Sequence, residues 1–147
     1  MEVGKKIAAG VLPICEKTGR ILIIKRGPHQ PKPGLWACFG GKFDDADKSP
    51  KDTAKREFVE ESGYTGKYKI SRLPLYVNKN NHSMFYTYVG VFTEEFTPDL
   101  ESGNEATEYG WFDISSLPSD LLPGFKETIE EKKQVLKNII CFYSEKH

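Results

Sequence analysis

The sequence predicts an α/β fold, one sheet with helices packed against it, and three observations carry that reading. β-rich runs at Ile7 to Cys15 and Arg20 to Lys25 open the chain. A capped helical pattern follows from Ser49 to Gly63, and further β-rich runs then give way to a closing amphipathic stretch. Strand runs and helical runs in this order pack as helices on a sheet. With 147 residues, 38% of them apolar, the chain has the size of one domain, taken as residues 1–147.

The two opening runs are joined by "EKTG", which reads as a hairpin with Gly19 in the turn. "RGPHQPKPG" holds three prolines and two glycines, so it reads as a loop. "LWACF" follows as a short strand, and "GGKF" then reads as a turn free of bulky side chains. Ser49, Pro50 and Asp52 form a helix start: a hydroxyl N-cap, a proline at the first helical position and an acid in the first turn. Gly63 is the matching stop.

Lys67 to Tyr76 and Ser83 to Phe92 read as strands on either side of the polar turn "NKNNH", and Thr107 to Phe112 as a further short strand. Phe125, Ile129, Leu136, Ile140 and Tyr143 recur at mostly helical spacing after "LPSDLLPG", which predicts the closing helix.

Lys plus Arg equals Asp plus Glu at 21 each, so no net field draws the protein to nucleic acid or to an acidic membrane. The three cysteines, Cys15, Cys38 and Cys141, are widely spaced without a CxxC, which argues against a disulfide framework or a zinc site and fits a reducing cytoplasm. Ile7 to Cys15 follows two lysines as a signal peptide would, but no small-residue cleavage site comes after it and Glu16 intervenes, so it reads as a strand. No apolar run approaches the roughly 20 residues that span a bilayer.

The most informative stretch is "KREFVEESGY", Lys55 to Tyr64. On a helix Glu57, Glu60 and Glu61 fall within about 100° of one another, while Ala54 and Phe58 occupy the adjacent stripe that can face a core. Like charges at this spacing repel. A divalent cation reverses the sign of that interaction, and hard cations such as magnesium take carboxylate oxygens together with substrate phosphates. Arg56 stands four residues before Glu60 and can orient its carboxylate. An acidic helix face is also, more blandly, a solvated surface; "FGGK" upstream, where backbone groups can approach an ion or a phosphate, favours the metal reading.

"GGKFDDADKSPKDTAKREFVEESGY", Gly40 to Tyr64, resembles the signature box of the Nudix hydrolases. That pattern runs glycine, five residues, glutamate, seven residues, then Arg-Glu-apolar-x-Glu-Glu-x-Gly-apolar. Arg56, Glu57, Phe58, Glu60, Glu61, Gly63 and Tyr64 match its second half in full, and "ILIIKRG", "GLWACFGGK" and "EATEYGWFDISSLP" resemble the family's flanking segments in the expected order. The first half departs: Lys48 stands where the family has glutamate, the loop after Gly41 carries one extra residue, and Asp47 is the available substitute one position early. Phe39 stands where proline often precedes the two glycines. An EF-hand reading of "DDADKS" fails because Pro50 falls where glycine is required and Arg56 where the bidentate glutamate belongs.

The resemblance implies a Nudix-type α/β/α sandwich with a mixed sheet between helices, and magnesium-dependent hydrolysis of a phosphoanhydride bond, with manganese as the alternative ion. It implies Glu60 and Glu61 as principal metal ligands, Glu57 as support for a metal or its water, and the carbonyl of Gly40 or Gly41 as a further ligand. Arg56 belongs to the catalytic group as the side chain that orients carboxylates rather than one that reacts. The general base is expected in a later loop: Glu105, six residues before Trp111 on "ESGNEATE", is the candidate, with Glu108 and Glu57 as rivals. Arg26 closes an apolar strand and is the candidate phosphate contact, and Trp36 the candidate for base stacking, with Tyr76, Phe85, Tyr86 and Tyr88 as further aromatics. His82, in a polar turn, is given no catalytic task.

The implied substrate is a small nucleotide such as ADP-ribose, a dinucleoside polyphosphate, NADH, a nucleotide sugar or a nucleoside triphosphate, with no stable nucleic-acid partner and no membrane. A homodimer and a monomer are both compatible with the chain. The alternative is a Nudix-fold module that binds a nucleotide or regulates without hydrolysing it. Such modules typically lose box carboxylates, and Glu57, Glu60 and Glu61 are all present here.

Overall fold

The computed structural model describes residues 4–103 and 105–147. Its elements are β1 (Lys6–Cys15), β2 (Ile21–Arg26), β3 (Trp36–Ala37), β4 (Phe39–Lys42), α1 (Pro50–Ser62), β5 (Lys69–Ile70), β6 (Tyr76–Lys79), β7 (Ser83–Phe92), α2 (Leu100–Gly103), β8 (Ala106–Phe112) and α3 (Pro123–Ser144).

Among the described residues all eight strands belong to one mixed sheet, with the order β3-β2-β1-β7-β5 along its main path. β4 pairs with β1, β6 with β7 and β8 with β2. β1 and β7 run parallel in register from Lys6 opposite Ser83 to Cys15 opposite Phe92. The other named pairings are antiparallel.

Alternation along the central strands serves two cores at once. Leu12, Ile14, Ile21 and Ile23 face one apolar cluster and Ala9, Val11, Leu22 and Ile24 the other, which is why these strands read as nearly continuous apolar runs. α3 closes the first cluster with Phe125, Ile129 and Leu136. α1 closes the second with Ala54 and Phe58. The result is the α/β/α sandwich expected. Among the described residues no helix is long and apolar enough to cross a membrane.

α1 is set by local signals. Ser49 Oγ accepts the Asp52 amide at 3.3 Å, Pro50 occupies the first turn, and Gly63 at φ 68° lets the chain leave while its N–H reaches the Val59 carbonyl. The ring of Phe58, fully buried, meets Phe39 edge-on at 5.1 Å and lies 5.3 Å from Tyr68 and 5.6 Å from Phe92. Burial of one such ring contributes about 2–3 kcal/mol, enough to hold the adjacent, acidic face of the helix at a fixed height above the sheet.

Three expectations are corrected. "LWACF" is not one strand: β3 pairs with β2 and β4 with β1, and the chain changes partner at Cys38. "GGKF" is not a turn, since Gly40, Gly41 and Lys42 lie in β4, where Gly40 is opposite Gly10 and two residues without side chains let the strands close up. Lys67 to Tyr76 contains only the two-residue β5 before the chain bends; Pro74, which lacks an amide donor, stands in the break. The segment before β8 includes the short helix α2. α3 also carries a kink at Lys132, where φ is −118° and ψ 17°.

Candidate active site

The box carboxylates are placed by contact between α1 and β4. The Gly40 amide donates to Glu61 Oε1 at 2.8 Å, and Glu61 is only 7% exposed. Gly41 lies directly against the Glu57 carboxylate, so that a Cβ at this position would overlap it. The paired glycines therefore act as the surface on which two glutamates rest.

Arg56 resolves the repulsion among the acids. Its guanidinium donates to Asp47 through Nε at 3.1 Å and Nη2 at 2.9 Å, to Glu57 Oε1 through Nη1 at 3.0 Å, to Glu60 at 3.3 Å and to the Lys42 carbonyl at 3.0 Å. Asp47 also accepts the Thr53 hydroxyl at 2.8 Å and the Asp44 amide at 2.9 Å. These bonds, Arg56 first, hold the Asp47 carboxyl well below the usual carboxylate range and raise the Arg56 pKa in turn. Asp47 thus reaches the helix despite the extra loop residue, and Arg56 grips Asp47 and Glu57 as well as Glu60.

Glu61 faces Glu105, and both line a small cavity of about 40 Å³. Burial, then the hydrogen bond to Glu105 and its charge, push the Glu61 carboxyl up to about 10 against the opposing pull of the Gly40 amide. Glu57 is raised as well, by burial first, with Arg56 working against it. The Glu105 loop is fastened by the Gly27 amide, which donates to the Glu105 carbonyl at 2.8 Å. The rival Glu108 lies in β8 opposite Lys25 and pairs with its ammonium at 3.1 Å, as a surface ion pair.

Among the described residues no three His, Cys, Asp or Glu side chains gather into a ready-made metal cage. Arg56 occupies the space between Asp47, Glu57 and Glu60. The donor chemistry nevertheless fits a hard cation: the candidates are all oxygen, and Glu61 is a buried carboxyl facing the charge of Glu105, which a positive charge would relieve.

A larger cavity of about 380 Å³ adjoins the carboxyl pair and is lined by Arg26, Cys38, Gly40, Asn78, Thr87 and Thr128 among others. Arg26, at the end of β2, lines both cavities and donates through Nε to the Pro31 carbonyl at 2.8 Å. Burial, and then the charge of Glu61, push the Cys38 thiol up to about 12.

Trp36 is placed elsewhere: its ring is edge-on to Phe112 at 5.4 Å and packs against the core that α3 closes. Of the other aromatics, Phe85 lines the cavity, Tyr88 is buried, and the Tyr76 hydroxyl donates to Glu127 at 3.0 Å. Asn78, Thr87 and Thr128 were not expected from the sequence. They come from β6, β7 and α3, and no local motif joins them. A still larger hollow of about 550 Å³, lined by Lys5, Ile7, Lys42, Met84 and Phe85 among others, contains none of the box glutamates. Chemistry, not size, picks out the site.

The NUDIX domain family matches residues 4–133. Among solved structures, the MutT NUDIX hydrolase from Burkholderia pseudomallei is 25% identical, over 86% of this chain and 96% of that one, with a TM-score of 0.65. RenU, a Nudix hydrolase from M. smegmatis, is 20% identical over 94% of this chain and 89% of its own, with a TM-score of 0.77. The NUDIX domain of Shewanella oneidensis NrtR, complexed with ADP ribose, is 18% identical over 90% and 88%, with a TM-score of 0.67. The latter two likenesses speak for the fold alone. No curated protein matches the chain. The matched family, the intact glutamate helix and the shared architecture together lead to one conclusion: the chain belongs to the Nudix hydrolases, enzymes that cleave pyrophosphate linkages in compounds built on a nucleoside diphosphate.

Proposed function

We propose that residues 1–147 form a single Nudix domain, working in the cytoplasm, that uses magnesium, or manganese in its place, to hydrolyse a phosphoanhydride bond in a small nucleotide. The observation that supports this most is the meeting of Glu61 and Glu105 in one cavity that adjoins another of nucleotide size. The ADP ribose bound by the NrtR domain supports a nucleotide ligand for this fold. A cavity of about 380 Å³ lies within the usual 300–1,000 Å³ range of small-molecule sites.

The Gly40 carbonyl, Glu57, Glu60 and Glu61 would hold the ion. When bound, such a cation neutralises charge on the pyrophosphate and so lowers the barrier to attack on phosphorus. The Gly40 amide fixes the Glu61 carboxyl through Oε1, and Arg56 fixes Glu57 and Glu60, so the acidic face is ordered before substrate arrives. Glu105 takes the proton of the attacking water, the new P–O bond forms, and the bridging P–O bond breaks with its electron pair leaving on the departing phosphate. Arg26, which lines both cavities, contacts substrate phosphate. Trp36 has no role in this scheme, because its ring is engaged with Phe112.

The test is incubation with magnesium and ADP-ribose, diadenosine polyphosphates, NADH, nucleotide sugars and nucleoside triphosphates, with products identified by mass. A product split at a phosphoanhydride is the expected result. Nucleotide binding without any product would instead establish the non-hydrolytic module.

A further inference from the structure

Among the described residues Lys32 alone combines a side chain with a positive φ, at 51°. It stands between Pro31 and Pro33, and a residue that precedes proline is ordinarily driven to extended backbone. A left-handed lysine at such a position persists only where its surroundings impose it, and backbone of this kind gathers at ligand sites.

The loop from Gly27 to Gly34 imposes it. The Arg26 amide donates to the Leu35 carbonyl and the Gly34 amide to the Arg26 carbonyl, each at 2.9 Å, so the two ends of the loop are shut together. Arg26 Nε then donates to the Pro31 carbonyl at 2.8 Å, immediately before Lys32. Held in this way, Lys32 lines the cavity of about 380 Å³.

We propose that Lys32 is a substrate-binding residue whose ammonium contacts phosphate oxygens of the nucleotide in that cavity, and that the contact serves affinity rather than the chemical step. The proposal rests on the nucleotide reading above and adds a residue to it. Arg26 and Lys32 line the cavity, and among the described residues no aspartate or glutamate does, so its formal charge is positive. Arg26 spends its Nε on fastening the loop. Among the described residues no salt bridge engages Lys32. An ammonium is a compact charge on a flexible stem and meets phosphate as a point charge, without the fixed fork of a guanidinium. Lys32 is also not a wall of the small cavity that Glu61 and Glu105 share. A contact remote from the breaking bond is made equally with substrate and transition state, which lowers KM without raising kcat.

The experiment compares Lys32→Gly, which removes the ammonium and suits left-handed backbone, with Lys32→Arg, which keeps a cation. ADP and adenosine are titrated calorimetrically with magnesium at low and at high salt, and kcat and KM are measured for the nucleotide the wild type cleaves. Lys32→Gly should weaken ADP binding by about tenfold, the usual worth of a hydrogen bond to a charged group, and raise KM to match. Adenosine affinity and kcat should stay within about twofold, because neither depends on this contact. Lys32→Arg should restore most of the loss, and high salt should shrink it. The thermal midpoint of Lys32→Gly should equal or exceed that of the wild type, since glycine accepts this φ without strain, which separates lost binding from lost folding. Unchanged ADP affinity in Lys32→Gly, equal weakening of ADP and adenosine, or a fall in kcat with KM unchanged would overturn the inference. If the wild type binds ADP but cleaves nothing, the hydrolase reading has failed and the ADP titrations still decide the role of Lys32. If it binds no ADP, both readings fall.

Discussion

Asp47 receives Arg56 through both Nε and Nη2, at 3.1 and 2.9 Å, and so ties the loop before α1 to the helix face that carries Glu57 and Glu60. This pair spans the one part of the signature box that departs from the family pattern. An aspartate one position early, in a loop one residue longer, arrives at the arginine that steadies the acids.

The pair makes acid stability a measurable signature. The Asp47 carboxyl in the folded protein lies below its unfolded value of about 4. The unfolded chain therefore takes up this proton first as pH falls, and the stability the pair contributes is fully present above about pH 4 and lost below it. The thermal midpoint of Asp47→Asn should lie below that of the wild type at pH 6, and the gap should narrow towards pH 2.5. A gap independent of pH would assign the effect to packing instead.

Phe58 anchors the helix from the core side. Replacing it with alanine removes a fully buried ring that touches Phe39, Tyr68 and Phe92, and should cost about 3–5 kcal/mol in denaturant unfolding. A cost under about 1 kcal/mol would show that the cluster does not hold α1.

Glu105 and Glu108 differ in placement although they are three residues apart. Glu105→Gln should lower kcat by about 10² to 10⁴, the usual worth of a positioned base, while leaving nucleotide affinity within a fewfold. Glu108→Gln breaks only the surface pair with Lys25, worth about 0.2–1 kcal/mol, and should change kcat less than twofold. The reverse ranking in steady-state kinetics would move the base to Glu108.

Gly41→Ala tests whether the paired glycines seat the glutamates. A methyl group there overlaps the Glu57 carboxylate and displaces it, and misplacement of a catalytic group by about 1 Å costs on the order of 10²-fold in rate. Turnover should fall by that order. Wild-type turnover in this variant would mean that Glu57 can move without consequence.

The parts of this fold that local chemistry dictates were legible in the sequence. Ser49, Pro50 and Gly63 bound α1 through contacts within a turn or two, and the apolar stripe of Ala54 and Phe58 lies beside the acids as helical spacing requires. The acids could be read for the same reason, since Glu57, Glu60 and Glu61 share a face by periodicity alone. What depends on distant partners was not legible. Gly40 and Gly41 looked like a turn because glycine usually marks one, but Gly10 across the sheet makes a close strand pairing available. The cavity walls at Asn78, Thr87 and Thr128 come from three elements and carry no motif, and Asn78 gains its position only by donating to the Gly124 carbonyl at 2.9 Å and accepting the Thr128 hydroxyl at 3.0 Å. Trp36 has the composition of a stacking residue, and only the fold shows its ring against Phe112.

The central claim, that the Glu61 and Glu105 pair with a bound divalent ion is where a phosphoanhydride is cleaved, is tested most directly by turnover of ADP-ribose in water enriched in oxygen-18. Wild type and Glu61→Gln are compared with magnesium and after chelation by EDTA. The expected result is magnesium-dependent incorporation of one labelled oxygen into a phosphate product by the wild type, abolished by EDTA and reduced by at least about 10²-fold in Glu61→Gln. Turnover that survives both chelation and the substitution would contradict the account.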